Sequence, residues 1–263
     1  MRIESAIVTN NRKIAGGIWR MEMAAPNICK EVQGPGQFVN IAVSEAWQMP
    51  LRRPMSIAGN SGDNLEIIYK LFGEGTRALS KKEKGDSLNV LGPLGNIFEV
   101  NAQIGTPVLV GGGVGIAPVL WLHHRLQDER IDHKLIIGAV TADEHFLDHN
   151  PGEEIFLTTD DGSLGEEGTV MPALERLTVE ADHSTVFACG PGPMLKAVRD
   201  YTVANRIGCQ MALESYMACG TGLCQGCVIG LDREKPVEDS YHKHYSLVCC
   251  DGPVYDAREI VIE

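Results

Sequence analysis

The sequence predicts an N-terminal antiparallel β-barrel, then a doubly wound α/β domain, then a small module built around cysteines. Three observations predict this. Short alternating or apolar runs, separated by turn signals, fill residues 1–100. From about residue 105 buried strand-like runs alternate with helical stretches. After Gly208 the chain turns loop-rich and its cysteines crowd together. The domain bounds that follow are 1–100, 101–208 and 209–263.

In the first part, Arg2–Thr9, Gly16–Met23, Gln37–Val43, Met55–Ala58, Leu65–Phe72 and Ser87–Leu91 read as strands. Gly34-Pro35-Gly36, Asn60-Ser61-Gly62 and Gly92-Pro93-Leu94-Gly95 are turn signals between them. Closely spaced short strands with such turns point to an antiparallel barrel. In the second part, Thr106–Val110 is a continuous apolar run, followed by glycines and a helix over Pro118–Gln127. Leu135–Ala139, Glu154–Leu157 and Thr185–Ala188 read as further buried strands, and Met171–Leu177 and Pro193–Arg206 as helices. Pro193 sits at a helix start and Gly208 just past its end, the usual asymmetry of these residues. Strands alternating with helices imply a parallel sheet covered on both faces.

With 44% hydrophobic and 22% charged residues, the 263-residue chain has the balance of an ordinary globular protein. Its formal net charge of −12 argues against nucleic acid or an anionic membrane surface as a partner. Met1–Lys13 lacks the apolar core of a signal peptide. The apolar stretch Thr106–Leu122 is cut by Gly111, Gly112, Gly113, Gly115 and Pro118, whereas a membrane helix needs about 20 apolar residues. Eight cysteines in such a chain point to metal or redox chemistry rather than disulfides, and the expected compartment is the cytoplasm.

Gly111-Gly112-Gly113-Val114-Gly115-Ile116-Ala117-Pro118 follows a strand and opens a helix. Glycine lets the backbone turn sharply and approach a ligand closely, and the helix start beyond offers free N–H groups to a pyrophosphate. The spacing is not the strict GxGxxG, so a tight connection without a ligand is the competing reading. A second turn, Cys189-Gly190-Pro191-Gly192-Pro193-Met194, lies between another strand and helix. Two such turns at the carboxyl ends of one parallel sheet are where a dinucleotide lies.

Cys219, Cys224 and Cys227 stand in a C-x4-C-x2-C array, and Cys249 follows after 21 intervening residues. This is the spacing of a plant-type [2Fe–2S] site. Structural zinc sites draw two close pairs instead, which the three-plus-one arrangement fits less well. Cys250, next to Cys249, remains an alternative fourth ligand. Gly220, Gly222 and Gly226 suit a tight loop whose N–H groups point at sulfurs. Cys29 and Cys209 read as small buried hydrophobes, and His242 and His244 as solvated loop residues.

The order Arg53-Pro54-Met55-Ser56, Gly73-Glu74-Gly75-Thr76, Gly92-Pro93-Leu94-Gly95, Gly111 to Pro118 and Cys189-Gly190-Pro191 resembles the ferredoxin–NADP reductase superfamily. The stretch from Glu214 through Cys227, with Cys249-Cys250-Asp251-Gly252-Pro253-Val254-Tyr255, resembles the electron-transfer subunits of class 1B dihydroorotate dehydrogenases. The resemblance covers nearly the whole chain. It implies an FAD-binding barrel and an NAD-binding domain. Arg53 would pair with the FAD pyrophosphate and Ser56 would reach the isoalloxazine edge, within a motif that includes Pro54 and Met55. Ile68, Tyr69 and Lys70 match the second flavin strand, and Gly75 and Thr76 the phosphate-contacting turn. Gly111, Gly112, Gly113, Gly115, Cys189, Gly190 and Pro191 match the nicotinamide side, and Thr159–Ser163 is expected near the adenosine half. The phrase Cys-x-Asp-Gly-Pro selects Cys249 as the fourth cluster ligand. Without the resemblance, Arg53 reads as a surface residue, Tyr69 as core and Asp160-Asp161-Gly162-Ser163 as a plain turn. One departure is the stretch 230–245, which is longer than in familiar members.

A nicotinamide exchanges electrons in pairs as hydride, an iron–sulfur cluster exchanges one, and a flavin does both. No segment resembles a substrate barrel, and no base stands ready for a carbon acid. The resemblance therefore implies a separate FMN-containing dihydroorotate dehydrogenase catalytic subunit, in a heterotetramer of two plus two. Electrons would pass from that FMN through [2Fe–2S] and FAD to NAD⁺, in pyrimidine (UMP) biosynthesis. Two other readings stand beside it. One is a related NAD(P)H–ferredoxin or sulfide dehydrogenase-type reductase subunit, and the other a redox-sensing module without turnover.

Overall fold

The computed structural model describes residues 1–44, 49–101, 105–181, 183–232 and 244–262. Strands β1 (Arg2–Ala15), β2 (Ile18–Ala24), β3 (Phe38–Ala42), β4 (Arg53–Ser61), β5 (Asn64–Lys70) and β6 (Ser87–Leu94) close into a barrel, in the order β1-β2-β5-β4-β3-β6. All its pairings are antiparallel. β1 turns into β2 through Gly16-Gly17, with Gly17 at φ 68°, a conformation that glycine adopts without a Cβ clash. Alternation sorts the side chains: Met21, Met23, Val39, Ile41, Leu65, Ile67 and Val90 share the barrel core. Two short helices, α1 (Pro26–Cys29) and α2 (Glu74–Leu79), belong to this part.

The second part is a seven-stranded sheet. Its strands β7 (Thr106–Gly112), β8 (Lys134–Ala139), β9 (Ile155–Thr159), β10 (Glu166–Glu167), β11 (Ser184–Cys189) and β12 (Gly208–Ala212) are parallel. Helices α3 (Ile116–Asp128), α4 (Met171–Glu180) and α5 (Gly192–Ala204) connect them. In the cysteine region β13 (Val228–Gly230) and β14 (Tyr245–Leu247) form an antiparallel ribbon. The chain then returns as β15 (Val254–Asp256), antiparallel to β12 at the sheet edge. The strand order is β10-β9-β8-β7-β11-β12-β15, so the winding reverses between β7 and β11.

Successive residues of these strands serve opposite faces. Val108, Val110, Val186 and Ala188 join the core under α4 and α5. Leu109, Ile137 and Phe187 join α3 and the barrel residues Ile18, Ala58 and Ile68 on the other face. Helix α3 thus fills the space between sheet and barrel. Phe98 and Phe187 meet there edge to face at 5.7 Å, a contact worth about 1 kcal/mol beyond its burial.

Two expectations need correction. The boundary at 208 falls where β12 begins, and β12 and β15 complete the sheet before and after the cysteine loops. The buried Cys209, Met211 and Ala212 form a run too short to stand out beside the loops that follow. Gly208 opens that strand rather than ending α5; Arg206, at φ 57°, is the left-handed residue past the helix. The stretch 233–243, with His242, lies outside the described residues. No helix among the described residues is long and apolar enough to cross a membrane.

Candidate functional site

A cavity of about 430 Å³ opens where the barrel, the sheet and the cysteine module meet. Of the residues singled out in the sequence, Pro54, Met55, Ser56, Ile68, Tyr69, Lys70, Thr76 and Cys189 line it. Phe38, Phe72, Pro253 and the run Ala212, Leu213, Glu214, Ser215 also line it, together with Met217, and sequence reasoning missed their part. One signal could have found that run. It leaves the carboxyl end of a parallel strand, the edge where α/β sheets bind ligands.

On the barrel side, Arg53 and Gly75 lie together just beyond the cavity wall. A Cβ on Gly75 would stand 2.6 Å from Arg53 Nε, so glycine allows the guanidinium to lie close against the start of α2. Arg53 Nη1 donates to the carbonyls of Leu51 at 2.7 Å and Arg52 at 3.3 Å. Thr76 Oγ1 accepts the N–H groups of Phe72 at 2.9 Å and Gly73 at 3.3 Å, and so shapes the turn. Lys70 Nζ reaches across to Glu144 at 2.5 Å and ties the barrel to the loop after β8. The Tyr69 hydroxyl donates to Asn11 Oδ1 at 2.9 Å, and burial pushes its phenol above the ordinary range. Its polar end therefore serves the barrel, while the residue still forms part of the cavity wall.

On the sheet side, the two glycine turns sit side by side at the point where the winding reverses. Gly111 pairs with Cys189 in the β7–β11 ladder. Gly113–Gly115 forms a 3₁₀ turn, with Gly113 at φ 56°. A Cβ on Gly115 would collide with the Cys189 carbonyl, and one on Gly112 would stand 2.5 Å from Met194 Sδ. Gly190 and Pro191 lead into α5 beside them. These glycines bring two backbones together at the switch point, next to the cavity rather than in its wall. Burial pushes the Cys189 thiol well up, and Glu214 adds to the effect. Burial also raises Glu214 above the usual carboxylate range. In the loop after β9, Asp161 Oδ1 accepts the Ser163 N–H at 3.0 Å and the Ser163 hydroxyl at 2.5 Å. Those hydrogen bonds hold the Asp161 carboxyl below its ordinary value.

The cysteine loop begins at the cavity, since Met217 lines it and Cys219 follows two residues later. Cys219 Sγ accepts the N–H groups of Thr221 and Cys224, each at 3.4 Å. Burial opposes its ionisation, but these donors outweigh burial and bring the thiol down to about 6. Cys227 and Cys249 are both buried, and the Cys249 N–H donates to Cys227 Sγ at 3.5 Å. Burial pushes the Cys227 thiol up to about 11. Cys250 is exposed, with its sulfur 3.6 Å from that of Cys249. Cys227 and Cys249 are thus buried, Cys219 is half-buried, and Cys224 and Cys250 are exposed. Among the described residues no three ligating side chains surround a single point. Left-handed Gly220 and Gly222 turn the loop between the first two cysteines. Soft thiol donors with backbone N–H groups aimed at them fit an iron–sulfur centre, and the Gly75 cradle beneath Arg53 fits an anionic cofactor in the cavity.

Over 275 aligned residues the chain is 37% identical to the dihydroorotate dehydrogenase B (NAD(+)) electron transfer subunit of Fusobacterium nucleatum, with 100% of both chains covered. The chain belongs to this family. A second member of the electron transfer subunit family, from Bacillus pumilus, is 36% identical over 261 residues and covers 97% of this chain and 96% of its own. Residues 214–261 match the family described as the iron-sulfur cluster binding domain of dihydroorotate dehydrogenase B. Among solved structures, the NADH-dependent reduced ferredoxin-NADP oxidoreductase superposes with a TM-score of 0.84 at 28% identity, over 98% of this chain and 90% of that one. Phthalate dioxygenase reductase shares the fold, with a TM-score of 0.65 at 18% identity over 94% of both chains.

Proposed function

We propose that this chain is the electron-transfer subunit of a dihydroorotate dehydrogenase complex, passing electrons from the FMN of a catalytic subunit to NAD⁺. The observation that carries this reading is a cavity walled by all three parts of the fold. Ser56 and Lys70 come from the barrel, Cys189 from the sheet, and Met217 leads straight to Cys219. When bound there, the flavin exchanges electrons singly or in pairs, the cluster singly, and the nicotinamide as hydride.

The residues divide the work by their chemistry. Arg53, against Gly75, supplies positive charge for the FAD pyrophosphate, and Thr76 fixes the shape of the turn beside it. Pro54, Met55, Ile68 and Tyr69 supply the apolar wall, and Ser56 a hydroxyl at the ring edge. Gly111, Gly112, Gly113 and Gly115, with Cys189, Gly190 and Pro191, pack the two glycine turns side by side at the switch point, the place where NAD would bind. Cys219, Cys224, Cys227 and Cys249 hold the [2Fe–2S] cluster. The exposed Tyr216 (97%) and Leu223 (85%) flank these ligands and offer an apolar face to the catalytic subunit. The assembly is a heterotetramer of two catalytic and two electron-transfer subunits, in the cytoplasm.

The test is reconstitution. The isolated chain should oxidise NADH with an artificial acceptor, and NAD⁺-linked dihydroorotate oxidation should appear only with the catalytic subunit present. A purified chain without flavin absorbance would sink the reading. The 28% identity to the ferredoxin-NADP oxidoreductase favours a second reading, a reductase subunit serving ferredoxin. The co-purifying partner separates the two: a flavin-binding barrel enzyme for the first, ferredoxin for the second.

A further inference from the structure

Asn40 is fully buried, and neither polar atom of its carboxamide has a hydrogen-bond partner. A buried polar group left in this state costs about 1–3 kcal/mol, so such groups call for an explanation. Asn40 stands on β3 between two parts of the site. Its partner across the ladder is Pro54, which walls the cavity. On either side of it, Val39 and Ile41 fill the barrel interior, so alternation turns Asn40 outward. There it meets the cysteine loop. A Cβ on Gly220 would stand 2.7 Å from Asn40 Nδ2 and 3.4 Å from Leu94 Cδ1.

Gly220, at φ 71°, directly follows Cys219. With no side chain at this position, the carboxamide lies against Gly220, the residue next to the first cluster cysteine. Its other neighbours give it no polar partner: Phe38 on the same face of β3 and Leu94 on β6 are apolar. A leucine would satisfy packing here. A carboxamide adds two N–H donors, and it brings them from the flavin-side barrel rather than from the loop itself.

We infer that Asn40 donates a hydrogen bond to a sulfur of the [2Fe–2S] centre and thereby raises the reduction potential of the cluster. The physical reason is charge. Reduction adds an electron to the sulfurs and iron, and an N–H aimed at sulfur stabilises the more negative state. Thr221 and Cys224 already give Cys219 such donors from within the loop. Asn40 is a positioning residue of another kind, since it makes the potential depend on how the loop is seated on the barrel. The inference rests on the reading of Cys219, Cys224, Cys227 and Cys249 as cluster ligands.

The experiment is a redox titration of the full chain, reconstituted with FAD and cluster and followed by the electron paramagnetic resonance of the reduced cluster. Asn40→Leu keeps the branched shape and removes the donors. Asn40→Ser is smaller and guards against a failure of Asn40→Leu to fold. Both should retain iron, sulfide and FAD. One lost hydrogen bond corresponds to about a tenfold fall in the ratio of reduced to oxidised cluster at a fixed ambient potential. For a one-electron couple this is a negative shift of about 59 mV. Variants that hold the cluster at the parent potential overturn the inference, as does a shift confined to the flavin. A parent chain that forms no cluster overturns the ligand assignment instead, so the two failures are distinct.

Discussion

Asn96 and Val254 grip each other through two reciprocal hydrogen bonds: Asn96 Oδ1 accepts the Val254 N–H and Asn96 Nδ2 donates to the Val254 carbonyl, both at 2.8 Å. The Asn96 N–H also donates to the Gly252 carbonyl at 2.8 Å. One side chain after β6 thereby fixes the segment that returns from Cys249 to the sheet. Asn96→Ala would leave the Val254 N–H and carbonyl unpaired, at a cost of about 2–4 kcal/mol. Urea unfolding would read this as a lower midpoint, and Asn96→Asp, which sets a second acceptor against the Val254 carbonyl, should not restore it.

The unequal burial of the cysteines predicts unequal effects of serine substitution. Cys224→Ser should abolish the [2Fe–2S] signal of the reduced protein and its labile sulfide. Cys250→Ser should leave both, because Cys249 is the buried partner of Cys227. The check is iron and sulfide analysis with paramagnetic resonance; a lost signal in Cys250→Ser together with a kept one in Cys249→Ser would exchange the two assignments.

Gly75→Ala places a methyl where the Arg53 guanidinium now lies. The side chain is flexible and can move aside, so the barrel should still fold. The displaced charge should weaken FAD binding about tenfold, or about 1.4 kcal/mol. Fluorescence titration of the apoprotein with FAD measures this, and unaltered affinity would remove Arg53 from the phosphate site.

His123 on α3 is buried, and its Nδ1 lies 2.8 Å from His133 Nε2. Burial, then the neighbouring His133 and His124, pull it down to about 4. The unfolded chain takes up this proton near pH 6.5, whereas the folded chain resists it until about pH 4. Stability is therefore full above pH 6.5 and falls as the pH drops toward 4, by roughly 3 kcal/mol from this group. His123→Gln should flatten that part of the profile in thermal unfolding at stepped pH.

The layout of the fold was legible where periodicity was long and punctuated. The six barrel strands, α3 and the two glycine turns stand close to where their patterns put them, because Gly113 and the apolar run 106–110 state local requirements that tertiary contacts did not override; Gly16 and Gly17, read as the start of a strand, form the turn before β2 instead. What stayed hidden depends on contacts between distant segments. Nothing in the run from Leu213 to Met217 announces that it closes a cavity against Ser56 and Lys70. Strand β15 pairs with β12 only after the cysteine loops bring it back. Asn40 reads as one polar residue in an apolar strand until Gly220 is seen against it.

One chain thus links a nicotinamide site, a flavin cavity and a cluster. The most direct measurement is an anaerobic titration of the reconstituted chain with NADH, reading flavin absorbance and the cluster's paramagnetic resonance in the same sample. The flavin should bleach as the reduced-cluster signal appears, and Cys224→Ser should bleach without the signal. A flavin that NADH leaves unbleached, or one that bleaches beside an intact cluster that stays oxidised in the presence of excess NADH, would contradict this link.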